Sequence, residues 1–129
     1  TMKNHKILIV EDDNSIRLLL NHLLSDEHET QTVENGFDAL ATMQQGNIPD
    51  LIISDLSMPK MDGNDFISNI KTSSFFNQIP IIILSASDKS SERINCLKKG
   101  VNDFLVKPFN PEELLIRVKN ILLRTKATI

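Results

Sequence analysis

Short, almost unbroken aliphatic runs recur along this chain, and what separates them has the spacing of helices. Ile7-Leu8-Ile9-Val10, Leu51-Ile52-Ile53 and Ile81-Ile82-Ile83-Leu84 carry apolar side chains at every position. An extended segment can bury both of its faces only inside a sheet covered on both sides, which is the condition of a parallel sheet packed between helices. The expected strands are Lys6 to Val10, Thr30 to Val33, Leu51 to Ser54, Pro80 to Leu84 and Phe104 to Val106. The second is polar and alternating, so it belongs at an edge. The pattern therefore predicts an α/β domain with five strands in a parallel sheet.

The intervening segments supply the helices. Ile16, Leu19, Leu20, Leu23 and Leu24 follow an i, i+3, i+4, i+7, i+8 stripe, with Asp13 or Asn14 to cap the first turn. Asn35-Gly36 and Asp62-Gly63 mark turns before short helices carrying Phe37, Leu40 and Ala41, and Phe66, Ile67 and Ile70. A fourth helix is expected from about Asp88 to Lys99, with Ile94 and Leu97 inward and Gly100 as its stop; its apolar face is sparse. The last opens Asn110-Pro111-Glu112-Glu113, a cap, a first-turn proline and acids at the positive dipole end, and its core stripe is Leu114, Leu115, Val118, Ile121 and Leu122.

The 129 residues suffice for one domain with a real core, expected over residues 6–124, with 1–5 a lead carrying a tag remnant (Thr1 ahead of Met2) and 125–129 a C-terminal tail or truncated linker. A net charge of −3 argues against direct nucleic-acid binding as the main function. The single cysteine, Cys96, excludes an internal disulfide and suits a reducing compartment, and no apolar stretch approaches the roughly 20 residues of a membrane helix. The expectation is a soluble, cytoplasmic domain with no membrane association.

Chemistry gathers where the strands end. The first delivers Glu11-Asp12-Asp13, the third Asp55, the fourth Ser85 and the fifth Lys107-Pro108. In open α/β sheets the ligand crevice lies beyond the carboxyl ends of the strands. Ionised carboxylates brought together there repel unless a cation or protons intervene, and oxygen-only ligands suit Mg²⁺ or a similar hard ion such as Mn²⁺.

Glu11-Asp12-Asp13, Asp55, the loop Met58-Pro59-Lys60-Met61-Asp62-Gly63, Ser85-Ala86 and Lys107-Pro108-Phe109, in this order and spacing, resemble the receiver domain of two-component response regulators, from Lys6 to about Arg124. The resemblance implies a flavodoxin-like doubly wound fold with strand order 2-1-3-4-5. It implies that Asp55 accepts a phosphoryl group from the phosphohistidine of a sensor histidine kinase or phosphotransfer protein. It makes Asp13 and Asp55 direct Mg²⁺ ligands, Asp12 a ligand directly or through water, and the Ser57 carbonyl a backbone ligand. Lys107 supplies positive charge, Ser85 is the hydroxyl that engages the phosphoryl group, and Phe104 is the switch aromatic. Because Phe104 has no hydroxyl, its switching must work through ring packing. A cis Lys107-Pro108 bond is implied too. The output is a switched surface formed by the fourth helix, fifth strand and fifth helix, read by an output domain or partner. Homodimerisation on phosphorylation is frequent in the family. The domain is not an enzyme with an external substrate.

Taken singly, these residues have plainer readings: Asp12-Asp13 as caps, Lys107 as a surface lysine, Ser57 and Ser87 as loop residues, Met58 and Met61 as loop packing, Cys96 as a half-buried helical residue. A phosphatase of the haloacid-dehalogenase type would also use an aspartyl phosphate, Mg²⁺ and a lysine, but it needs an acid two residues beyond the nucleophile, where this chain has Ser57. A receiver fold used only as an interaction surface is the third reading.

Overall fold

The computed structural model of the chain describes residues 5–127, with side chains through Arg124. Ten elements alternate: β1 Lys6–Val10, α1 Asn14–Leu24, β2 Glu29–Val33, α2 Gly36–Gln44, β3 Leu51–Asp55, α3 Gly63–Lys71, β4 Ile81–Ser85, α4 Ser90–Lys98, β5 Asp103–Val106 and α5 Pro111–Ala127. All five strands are parallel, in the order β2-β1-β3-β4-β5. This is the flavodoxin-like, doubly wound arrangement, with polar β2 at an edge as its alternation predicts. Helix α5 continues to Ala127, into the expected tail; residues 1–4 and 128–129 lie outside the described residues.

Successive side chains of the buried strands point to opposite faces, which divides the core in two. Leu8, Val10, Ile52, Ile81, Ile83 and Phe104 meet Ala39, Met43, Phe66, Ile67, Ile70 and Cys96. On the other face Ile7, Ile9, Leu51, Ile53, Ile82, Leu84 and Leu105 meet Leu20 and Leu24 of α1 and Leu114, Val118, Ile121 and Leu122 of α5. Side-chain caps start four helices. Asp13 Oδ1 accepts from the Ile16 amide at 3.0 Å, Asn35 from Asp38 at 2.8 Å, Asp62 from Asp65 at 2.9 Å, and Asn110 from Glu112 and Glu113 at 2.9 and 3.1 Å. Helix α4 starts at Lys89 with no side-chain cap.

The structure corrects several expected core positions. Leu19 of α1 and Leu115 of α5 are exposed, at the margins of stripes drawn too wide. In α4 the expected inward pair is wrong: Ile94 and Leu97 are 47% and 46% exposed, and Cys96 is the buried residue of the helix. At about 100° per residue, a helix that turns Cys96 toward the sheet carries Ile94 about 200° away from it. Cys96, expected to be half-buried, is wholly enclosed. No helix among the described residues is long and apolar enough to cross a membrane.

Candidate functional site

The carboxyl ends of β1, β3, β4 and β5 converge because of their register. Val10 pairs with Ser54, Asp55 with Leu84, and Ser85 with Val106, so Glu11, Asp55, Ser85 and Lys107 arrive at one level above the sheet. Backbone bonds fix the exits: the Glu11 amide donates to the Val33 carbonyl at 3.0 Å, Leu56 to Leu84 at 3.1 Å, and Lys107 to Ser85 at 2.7 Å. These residues line one open cleft with Asp12, Asp13, Ser57, Asn64, Ser87 and Glu92. The cleft sits over β1 and β3, where the winding of the sheet reverses.

Within it, one oxygen each from Glu11, Asp12 and Asp55 lies within 4.8 Å of the others. The Lys107 ammonium reaches Glu11 Oε1 at 2.9 Å and Asp55 Oδ1 at 3.2 Å. Glu11 is 1% exposed, and its burial, with the nearby Asp55 charge, pushes its pKa up to about 7 against the opposing hydrogen bond from Lys107. Burial works against the Lys107 ammonium, but the hydrogen bond to Glu11 and the charges of Asp55 and Glu11 outweigh it and hold its pKa above the ordinary lysine value. Asp55 Oδ1 also accepts from the Ser57 amide at 3.4 Å, and Ser85 Oγ accepts from the Ser87 amide at 3.1 Å.

The loop after β3 passes close under the site. The Gly63 amide donates to the Leu56 carbonyl at 2.7 Å, and a Cβ on Gly63 would stand 2.6 Å from Leu56 Cα and 2.7 Å from Leu56 O. Only glycine permits that approach, which anchors the loop against the residue following Asp55. The Lys107–Pro108 bond is cis. Phe104 is buried in the core facing α2, α3 and α4.

The structure brings Asp12, Asp55, Ser57, Ser85 and Lys107 to the cleft as the sequence pattern expects, but it redistributes the acids. Asp13 lines the rim with its carboxylate engaged in capping α1, outside the close group. Glu11 takes the inner place. Glu11 directly extends a strand buried from Ile7 to Val10, whereas Asp13 lies two residues further on, where the chain has already turned into the cap of α1; that continuity was the available signal. Arg17 fixes the turn by donating to the carbonyls of Glu11 at 2.9 Å and Asp12 at 3.4 Å.

The donor set fits a hard divalent cation. Three carboxylate oxygens already within 4.8 Å of one another need only small shifts to share one Mg²⁺ at about 2.1 Å, and an open cleft leaves room for water ligands.

The fold and site define a doubly wound α/β domain with carboxylates and a lysine gathered in a cleft at the reversal point of its sheet. The model of the response regulator receiver domain matches residues 7–119, and the chain belongs to that family, the receiver domains of two-component signalling. It is 39% identical over 116 residues to histidine kinase P4 of Formosa agariphila, covering 90% of this chain and 8% of that protein. It is 39% identical over 122 residues to the probable transcriptional regulator ycf27 of Cyanophora paradoxa, covering 94% of this chain and 49% of that protein. The crystal structure of a putative response regulator from Chloroflexus aurantiacus superposes with a TM-score of 0.87 at 35% identity, covering 94% of this chain and 99% of the other. The chain thus spans about half of one curated relative and a small part of the other.

Proposed function

We propose that Asp55 is the phosphoacceptor of this receiver domain. The observation that carries this reading is the Asp55 carboxylate at the tip of β3, in an open cleft, 3.2 Å from the Lys107 ammonium and grouped with Glu11 and Asp12. An Asp55 oxygen attacks the phosphorus of a phosphohistidine; the phosphorus–nitrogen bond breaks, and the imidazole nitrogen leaves with the electron pair and takes up a proton. Lys107 balances charge on the transferred oxygens, and the Ser85 hydroxyl, at the adjoining strand end, engages one of them. Asp12, Asp55, the Ser57 carbonyl and Glu11 would hold Mg²⁺ or Mn²⁺, which when bound supplies further positive charge for the transfer. Asp13 serves the α1 cap instead.

Phosphorylation at Asp55 then biases the surface of α4, β5 and α5, with Phe104 responding through ring packing. The donor is a sensor histidine kinase or phosphotransfer protein, and the reader is an output domain or partner protein, with a phosphorylation-dependent homodimer as one form of output. The working compartment is the cytoplasm. The chain is a switch rather than an enzyme with an external substrate. Ser57, two residues beyond Asp55, offers no acid or base for phosphatase turnover.

The test is intact mass after incubation with phosphoramidate or acetyl phosphate, with and without Mg²⁺. One Mg²⁺-dependent phosphoryl adduct that Asp55→Asn lacks is the expected result; an adduct of equal rate in the variant removes Asp55 from the role.

A further inference from the structure

Glu92, in the first turn of α4, lines the same cleft as Asp55, and its Oε2 is buried with no hydrogen-bond partner among the described residues. Lys107, which lines the same cleft, is engaged with Glu11 and Asp55, and Lys99 at the end of the helix with Asn64 Oδ1 at 3.1 Å. Glu92 as a whole is half-exposed, but the oxygen withdrawn from water has no donor on it, so the carboxylate is only partly compensated and its energy responds to further charge placed in the cleft.

The attachment of α4 is uneven in a way that makes this consequential. Its later turns are held to α3 through Asn64, which accepts from Asn95 Nδ2 at 3.4 Å and from Lys99, and Cys96 is its buried residue. Its start has no side-chain cap, and Ser90 and Ser91 are exposed. The helix is thus tied to α3 through its later turns and has no comparable side-chain tie at its start.

Resting on the reading of Asp55 as the phosphoacceptor, we propose that Glu92 is a positioning residue through which α4 senses that reaction. Its carboxylate opposes an anion on Asp55 while α4 stands as it does here, and a phosphoryl group, by adding negative charge, drives the first turn of α4 outward about the Asn64 tether. Glu92 thereby lowers the tendency of the domain to become phosphorylated and links the modification to helix displacement in one interaction.

The experiment is calorimetric titration with beryllofluoride, an anionic phosphoryl mimic, in saturating Mg²⁺, for wild type, Glu92→Gln, Glu92→Lys and Asp55→Asn, at low and high salt. Glu92→Gln is expected to bind beryllofluoride roughly three- to tenfold tighter at low salt, Glu92→Lys tighter still, with the differences shrinking as salt rises. Affinity for Mg²⁺ alone should not tighten in either variant, because a cation responds with the opposite sign. Amide exchange over Ser90–Arg93 should quicken on beryllofluoride binding in wild type and less in Glu92→Gln. Unchanged affinity in Glu92→Gln, or a gain indifferent to salt, overturns the role of Glu92 while leaving Asp55 intact. Wild type that fails to bind, or Asp55→Asn that binds equally, overturns the Asp55 reading and this one with it.

Discussion

The Lys107 ammonium makes its shorter contact, 2.9 Å, with Glu11 Oε1; Asp55 Oδ1 stands 3.2 Å away. One cation therefore serves two buried carboxylates, and it occupies the neighbourhood that a divalent ion would enter.

Replacing Lys107 by Met leaves that carboxylate pair without its countercharge. The metal-free protein should lose about 1–3 kcal/mol of stability, the cost of stranding buried polar groups. Mg²⁺ should bind at least as tightly as to wild type, since a competing cation has gone, and saturating Mg²⁺ should recover much of the loss. Urea unfolding followed by circular dichroism, with and without Mg²⁺, checks this; a deficit indifferent to metal would contradict it.

The acids after β1 should separate cleanly on mutation. Asp13→Ala removes the α1 cap and should cost about 1 kcal/mol of stability, with Mg²⁺ affinity almost unmoved. Glu11→Gln and Asp12→Asn should each weaken Mg²⁺ binding by about tenfold or more, given that even outer-shell partners contribute that much. Calorimetric Mg²⁺ titration of the three variants decides the assignment, and a large loss in Asp13→Ala alone would restore Asp13 as a ligand.

Gly63→Ala should destabilise the fold by about 2–3 kcal/mol, because the new methyl meets backbone that cannot rotate aside. Gly46, at φ +101 with nothing within 4 Å of where a Cβ would stand, provides the contrast. Gly46→Ala should cost only about 1–2 kcal/mol, the strain of a left-handed residue. Equal urea midpoints for the two variants would refute the steric account of the loop.

His28 and Glu11 should give opposing pH slopes. Burial holds the His28 pKa below its ordinary 6.5, with Glu27 opposing and His5 assisting the shift. The unfolded chain then binds the extra proton, so His28 contributes stability that is present above pH 6.5 and lost as pH falls through its folded value. Glu11, raised from 4.5 to about 7, contributes stability present below pH 4.5 and lost as pH rises toward 7. In metal-free buffer, His28→Gln should be relatively more stable, compared with wild type, at pH 5.5 than at pH 7.5. A constant difference between the two proteins across that range would exclude the His28 effect.

The parallel sheet and its strands were legible because aliphatic runs buried on both faces leave few alternatives, and each strand was placed to within a residue or so; the strand order came from the resemblance to receiver domains. Asp55, Ser85 and Lys107 were legible for the same reason: the ends of such runs locate the cleft. What the sequence concealed was rotation. Whether Ile94 or Cys96 faces the sheet depends on how α4 is seated on β5, and its weak apolar stripe could not decide that. Whether Glu11 or Asp13 turns inward depends on the chain direction at the exit of β1, which the Arg17 bond to the Glu11 carbonyl and the Asp13 cap on Ile16 set across the turn.

The five residues of β3 are all buried, and the strand lies between β1 and β4 with Ile52, Ile53 and Ser54 paired on both sides, whereas α4 has no side-chain cap at its start and holds one buried residue. The Asp55 carboxylate thus hangs on an element expected to open only in global unfolding, and α4 is the element expected to open alone. Amide exchange should accordingly run on two clocks: β3 keeps the time of the whole fold, and α4 keeps a faster time, the one that phosphorylation would reset on the reading of Asp55 as the phosphoacceptor.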